Sequence, residues 1–138
     1  MPPQRLQIGI AGLGRMGKRH ALHFLNRTPR AELVAASTPD PSEIAWARTN
    51  LEPYGVTLYT DYDEMLKQEG LQAVVVASVT TVHAEQAIKA IAANKHVLCE
   101  KPLSTSVEIV CFLPSLPNSL LTYPVPNCRR CRQEETKS

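Results

Sequence analysis

Residues 9–20 read GIAGLGRMGKRH and hold four of the six glycines in the chain: Gly9, Gly12, Gly14 and Gly17. Glycine weakens the interior of a regular element, so such a cluster marks backbone that something must approach closely. The cluster also sits at a change of period. LQIGIAG (6–12) is a short apolar run ended by glycine, as a buried strand is. Beyond it, Met16, His20, Ala21, Phe24 and Leu25 fall on one helical face. Strand, glycine turn and helix in immediate succession set the chain on an α/β course from its start.

The alternation then repeats. AELVAAS (31–37) predicts a second strand, and Pro41 suits the first turn of a helix over SEIAWARTN. VTLY (56–59) predicts a third strand. DYDEMLKQEG opens with Asp61 and Glu64 at capping-box spacing and stops at Gly70. AVVVAS (73–78) is continuous and β-branched, which predicts a central strand covered on both faces. In VHAEQAIKAIAAN, residues Ala84, Ala87, Ile88 and Ile91 keep helical spacing, with Asn94 placed to end the helix. HVLC (96–99) closes the series. The pattern predicts an α/β fold, a doubly wound parallel Rossmann sheet of about five strands with right-handed crossovers.

After Val107 the order fails, and Pro114, Pro117, Pro124 and Pro126 break every window long enough for a helix. The expected organisation is one domain over 1–108 and an irregular or disordered tail over 109–138. The tail also carries the net charge of +2, through Arg129, Arg130, Arg132 and Lys137 against Glu134 and Glu135. The body is therefore neutral, which argues against nucleic acid as a partner. No window approaches the ~20 apolar residues that span a bilayer, and the N-terminal apolar run is too short and broken for a secretory signal. A cytoplasmic protein without a membrane partner is expected. Cys99 lies in a strand-like run and reads as an inert core thiol. Cys128 and Cys131 form a lone C-x-x-C; Cys111 and His96 do not make up a convincing second pair, so no metal site is expected. Disulfides are not expected in a reducing compartment.

GLGRMG is G-x-G-x-x-G, at Gly12, Gly14 and Gly17, in the strand–turn–helix setting the motif requires. In a dinucleotide site the first glycine permits the tight turn. The second lets a pyrophosphate lie against the backbone, and the third lets the helix pack close to the sheet. Free N–H groups at the helix start, at Arg15 and Met16, then hold the anion. NAD sites usually place an acidic residue at the end of the second strand to bind the ribose. Here Ser37 and Thr38 stand near that place, and Asp40 comes slightly later. A hydroxyl pair can donate to a 2′-phosphate and so favours NADP, yet no arginine follows before Arg48. Asp40 fits a ribose contact, and equally a turn or helix cap. NAD and NADP both stay open.

Glu100, Lys101 and Pro102 follow the fifth strand directly, on the side where an open α/β sheet forms its ligand crevice. A lysine there can hydrogen-bond a substrate hydroxyl and favour its alkoxide character as hydride leaves. The same residue is equally readable as a solvated loop lysine.

The glycine motif followed by E-K-P after the fifth strand resembles the Gfo/Idh/MocA (glucose–fructose oxidoreductase/inositol dehydrogenase) family, from about residue 6 to 108. VHAEQAIKAI and HVLCEKPLSTSVE look like its last two β–α units. The resemblance implies an NAD(P)-dependent oxidoreductase acting on sugar or cyclitol hydroxyls. It implies a substrate-contacting catalytic role for Lys101, a cis peptide before Pro102, and cofactor-side positions for Ser78, His83 and Glu100. Family members carry T-P-N three residues before that histidine, where this chain has Ser78, Val79 and Thr80. The family also carries a second α/β domain that builds the substrate pocket. No motif of that domain follows residue 108, so the expected entity is a truncated cofactor-binding domain without turnover of its own. The alternatives are a dehydrogenase completed by a partner chain and a cofactor-binding sensor or regulatory fragment.

Overall fold

The structure, a computed structural model, describes residues 4–106. The tail expected over 109–138, with Cys111, Cys128 and Cys131, lies outside the described residues. The elements alternate as β1 (Leu6–Ala11), α1 (Arg15–Arg27), β2 (Ala31–Ser37), α2 (Pro41–Asn50), β3 (Thr57–Tyr59), α3 (Tyr62–Leu66), β4 (Ala73–Val76), α4 (Thr80–Ala92) and β5 (His96–Cys99), with a single 3-10 turn at Glu52–Tyr54. Every strand pairing is parallel. The strand order is β3-β2-β1-β4-β5. The order runs outward from β1 in one direction and outward from β4 in the other. The chain therefore switches sides between β1 and β4, where doubly wound sheets form their binding crevice.

Period-two alternation sends side chains to both faces. Ile8, Ile10, Val75 and Ala77 pack with Ala21 of α1 and Ala47 of α2. Val74 and Val76 pack on the other face with Met65 of α3 and with Ala84, Ala87 and Ile91 of α4. β4 is buried along its whole length, as its unbroken β-branched run predicts. β5 alternates: Val97 and Cys99 are buried, whereas His96 and Leu98 are exposed. Among the described residues β5 is thus covered on the α4 face only.

The helix ends follow local chemistry. Asp40 caps α2, its carboxylate accepting from Ser42 N–H at 2.7 Å and Glu43 N–H at 3.3 Å, with Pro41 in the first turn. Asp61 caps α3 in the same way. Glu64 does not complete the expected capping box, because its carboxylate accepts from Lys67 Nζ at 2.6 Å instead. The helix stops at Leu66, short of Gly70. Asn94 takes φ +57 just past α4. Its N–H and that of Lys95 bond back to Ile91 and Ala90 at 2.9 Å each, a Schellman ending with asparagine in the left-handed position. β4 ends at Val76 rather than Ser78. The two residues beyond it lie against the glycine turn instead of continuing the strand.

Candidate cofactor site

The three motif glycines have different physical reasons. Gly12 takes φ +85, and a Cβ there would stand 2.4 Å from Ser78 Cα. Its missing side chain lets the end of β1 close onto the end of β4. A Cβ on Gly17 would stand 2.0 Å from the Gly12 carbonyl oxygen, so this glycine seats α1 on the turn. Both vacancies are filled by the protein itself. Gly14 differs: among the described residues, a Cβ there would meet one atom within 4 Å, Glu43 Oε1 at 3.6 Å. The space over Gly14 is open, and it lies at the start of α1. Gly14 caps that helix without any side-chain hydrogen bond, and the first turn holds no acidic residue. The N–H groups of Arg15, Met16 and Gly17 are then the orphan donors of a helix start, backed by its positive dipole end. Arg15 and Met16 are themselves exposed. An open cradle with unclaimed donors fits a pyrophosphate.

At the end of β2, Ser37 and Thr38 are both buried. The Ser37 carbonyl accepts from Gly12 N–H at 2.8 Å, which ties β2 to the turn. The Thr38 hydroxyl accepts from Asp40 N–H at 3.2 Å and gives its proton to Glu43 Oε2. It is therefore committed within the protein. Asp40 itself is the helix cap. The hydrogen bonds from the Ser42 hydroxyl and from the Ser42 and Glu43 N–H groups hold its carboxyl below the usual carboxylate range. Glu43 is marked in the sequence only by its capping-box spacing from Asp40 in the first turn of α2. Its Oε2 also accepts from Leu13 N–H at 3.0 Å, inside the glycine turn.

On the other side of the crevice, the Ser78 hydroxyl donates to Gln86 and its carbonyl faces His83 Nε2 at 2.8 Å. His83 is buried, at 2% exposure. Its Nδ1 reaches the Pro102 carbonyl at 2.9 Å, so the ring bridges the end of β4 to the loop after β5. The Lys101–Pro102 peptide is cis. Lys101 is exposed, and its N–H donates to Glu100 Oε2 at 3.2 Å. Glu100 Oε1 pairs with His20 Nε2 at 2.6 Å, which ties that loop to α1. The His20 contact, followed by the Lys101 N–H, holds the Glu100 carboxyl below the usual range. The sequence periodicity places His20 only on the core face of its helix. The described loops thus bring Gly12, Gly14, Arg15, Met16, Thr38, Ser78, His83, Glu100 and Lys101 to one end of the sheet. Val79, 68% exposed, presents an apolar side chain at the same end. A hollow of about 490 Å³ near Arg5, Phe24, Thr28, Pro29 and Tyr54 lies at the opposite end, remote from this constellation.

Fold, switch point and glycine cradle together define a dinucleotide-binding Rossmann domain. Residues 6–110 match the family described as an oxidoreductase family with an NAD-binding Rossmann fold, GFO_IDH_MocA, and the chain belongs to that family as its NAD-binding domain. An inositol 2-dehydrogenase of Rubrobacter xylanophilus is 35% identical over 107 residues, covering 76% of this chain and 29% of the relative. The oxidoreductase YrbE of Bacillus subtilis is 34% identical over 106 residues, covering 76% of this chain and 30% of the relative. The crystal structure of scyllo-inositol dehydrogenase from Lactobacillus casei, with bound NAD(H) and scyllo-inositol, superimposes with a TM-score of 0.71 at 36% identity. That alignment covers 78% of this chain and 31% of the other. The chain therefore spans about 30% of the length of the curated relatives it matches. Among the described residues, no helix is long and apolar enough to cross a membrane.

Proposed function

We propose that this chain holds NAD or NADP across the β1/β4 crevice for hydride transfer between the nicotinamide and a hydroxyl-bearing carbon of inositol or a related polyol. The carrying observation is the open space over Gly14, the one motif glycine whose absent side chain no atom of the described residues replaces. The backbone at Gly14 and the N–H groups of Arg15, Met16 and Gly17 hold the pyrophosphate. The bound nicotinamide supplies the hydride acceptor. Lys101 stands on the exposed loop that His83 and the His20–Glu100 pair fix in place, which supports a role for it at the crevice. Its ammonium would hydrogen-bond the substrate hydroxyl oxygen and stabilise the negative charge left there as the hydroxyl proton passes to solvent, before hydride leaves the same carbon for the nicotinamide. Inositol enters this reading from the substrates named for the relatives. A cytoplasmic setting accords with the free thiol of Cys99.

Gly14→Val tests the cradle. Calorimetric titration with NADH is expected to show at least about tenfold weaker binding, since a side chain now stands where the phosphate must lie. Equal affinity for the variant and the parent removes the phosphate assignment.

A further inference from the structure

The end of β2 poses a problem that the cofactor reading leaves open. An NAD site needs an acidic group to accept the hydroxyls of the adenosine ribose, usually from the last residue of this strand. Ser37 and Thr38 occupy that place and carry no carboxylate. Asp40 has one, but its Oδ1 is taken by Ser42 N–H, the Ser42 hydroxyl and Glu43 N–H.

We propose that Glu43, on the first turn of α2, supplies the missing carboxylate, binds the adenosine ribose hydroxyls and makes this chain select NAD over NADP. The proposal rests on the dinucleotide reading above and deepens it. Three observations place the group. Glu43 Oε2 is anchored from two sides, by Leu13 N–H at 3.0 Å and by the Thr38 hydroxyl. Its other oxygen, Oε1, lies 3.6 Å from the Cβ position of Gly14, on the side of the turn left open to the ligand. The carboxylate is half-buried, so its charge is less screened than on an open surface. One oxygen is therefore fixed by the protein and the other faces the path of the dinucleotide. Thr38, at the usual acidic position, acts as the donor that aims Glu43.

The chemistry of discrimination follows. Ribose 2′- and 3′-hydroxyls donate to a carboxylate, and such charge-assisted bonds are the strong ones. A 2′-phosphate has no strong donor to offer and brings about −1.5 to −2 charges. It would face the Glu43 carboxylate, with that of Asp40 on the same helical turn. One cation near at hand is Lys18, whose charge Asp40 feels. Its ammonium already stands over the Trp46 ring, 5.3 Å from the centroid. Thr38, which could have donated to a phosphate, has spent its proton on Glu43.

The test titrates the full chain with NADH and NADPH, following nicotinamide fluorescence, for the parent and for Glu43→Gln. The parent is expected to bind NADH about 10- to 100-fold more tightly, the range for exchanging charge-assisted hydrogen bonds for repulsion. In Glu43→Gln, which keeps length and an acceptor for Leu13 N–H, the ratio is expected to fall toward one, with NADPH binding strengthened. A parent that binds both equally overturns the selectivity. A ratio unchanged in Glu43→Gln overturns the role of Glu43. A parent that binds neither overturns the underlying dinucleotide reading, a separate failure. Competition by ADP-ribose and 2′-phospho-ADP-ribose on the parent supplies a measurement that needs no variant. Equal displacement by the two overturns the proposal even if Glu43→Gln does not fold.

Discussion

One methyl group, placed in turn on Gly12, Gly14 and Gly17, separates what the glycine turn does for the fold from what it does for a ligand. At Gly12 an alanine must adopt φ +85 with its Cβ 2.4 Å from Ser78 Cα. The left-handed backbone costs roughly 1–2 kcal/mol, and forcing a methyl into packed structure costs about 1–3 kcal/mol, so Gly12→Ala should lose about 2–5 kcal/mol. At Gly17 the methyl meets the Gly12 carbonyl oxygen at 2.0 Å. That clash lies at the upper end of the same overpacking range, offset by about 1 kcal/mol of helix propensity, leaving a loss of about 2 kcal/mol. At Gly14 the methyl meets Glu43 Oε1 at an ordinary 3.6 Å. Stiffening the unfolded chain gains about 0.4–1 kcal/mol, and alanine is worse than glycine as a helix cap by a similar amount. Stability should then stay within about 0.5 kcal/mol of the parent.

Thermal unfolding without cofactor, followed by circular dichroism, reads these differences. For a domain of this size about 1 kcal/mol moves the midpoint by roughly 4–8 °C. Gly12→Ala should fall by about 10 °C or more and Gly17→Ala by about 8 °C or more, while Gly14→Ala stays within about 4 °C. The ranking is the refutable content. If Gly14→Ala is destabilised as much as Gly17→Ala, the space over Gly14 is not open. The case for a ligand there then loses its structural basis.

The His20–Glu100 contact predicts a pH signature. A carboxyl held low in the folded state contributes stability above its unfolded pKa of about 4.3, and loses it as pH falls through the lowered folded value. Both side chains are partly solvated, so the contribution should not exceed about 1 kcal/mol. Glu100→Gln should melt a few degrees below the parent at pH 7, and the gap should close as pH falls through the lowered folded value; a gap that stays constant with pH would refute the pairing. Burial, with the Glu100 charge adding to it, pushes the Cys99 thiol up to about 12. Iodoacetamide at pH 8, read by peptide mapping, should therefore spare Cys99 in the native chain and label it in urea, and fast native labelling would contradict that burial.

What the sequence reveals here is what local rules govern. Period, glycine placement and capping residues are properties of neighbours in the chain, and they locate the five strands, the G-x-G-x-x-G turn and the E-K-P loop. The two readings of Asp40, ribose contact and helix cap, are both local, and the structure shows the cap. The contacts that complete the site are of another kind. Glu43 meets Leu13 across 30 positions, and His20 meets Glu100 across 80. In sequence Glu43 stands three residues after an N-cap aspartate, where a glutamate reads as the partner of a capping box. Its carboxylate instead leaves its own helix because the glycine turn offers an unpaired N–H within reach of a long side chain, and Thr38 offers a hydroxyl. His20 shows the same limit on α1: the periodicity that put it with Phe24 and Leu25 marks the stripe and not the level along it. At the carboxyl end of the sheet that stripe runs past the core and reaches the loop carrying Lys101. Side chains on the first two turns of helices that follow parallel strands are therefore where a fold legible from pattern still hides its chemistry. In this domain both of the residues missed stand there.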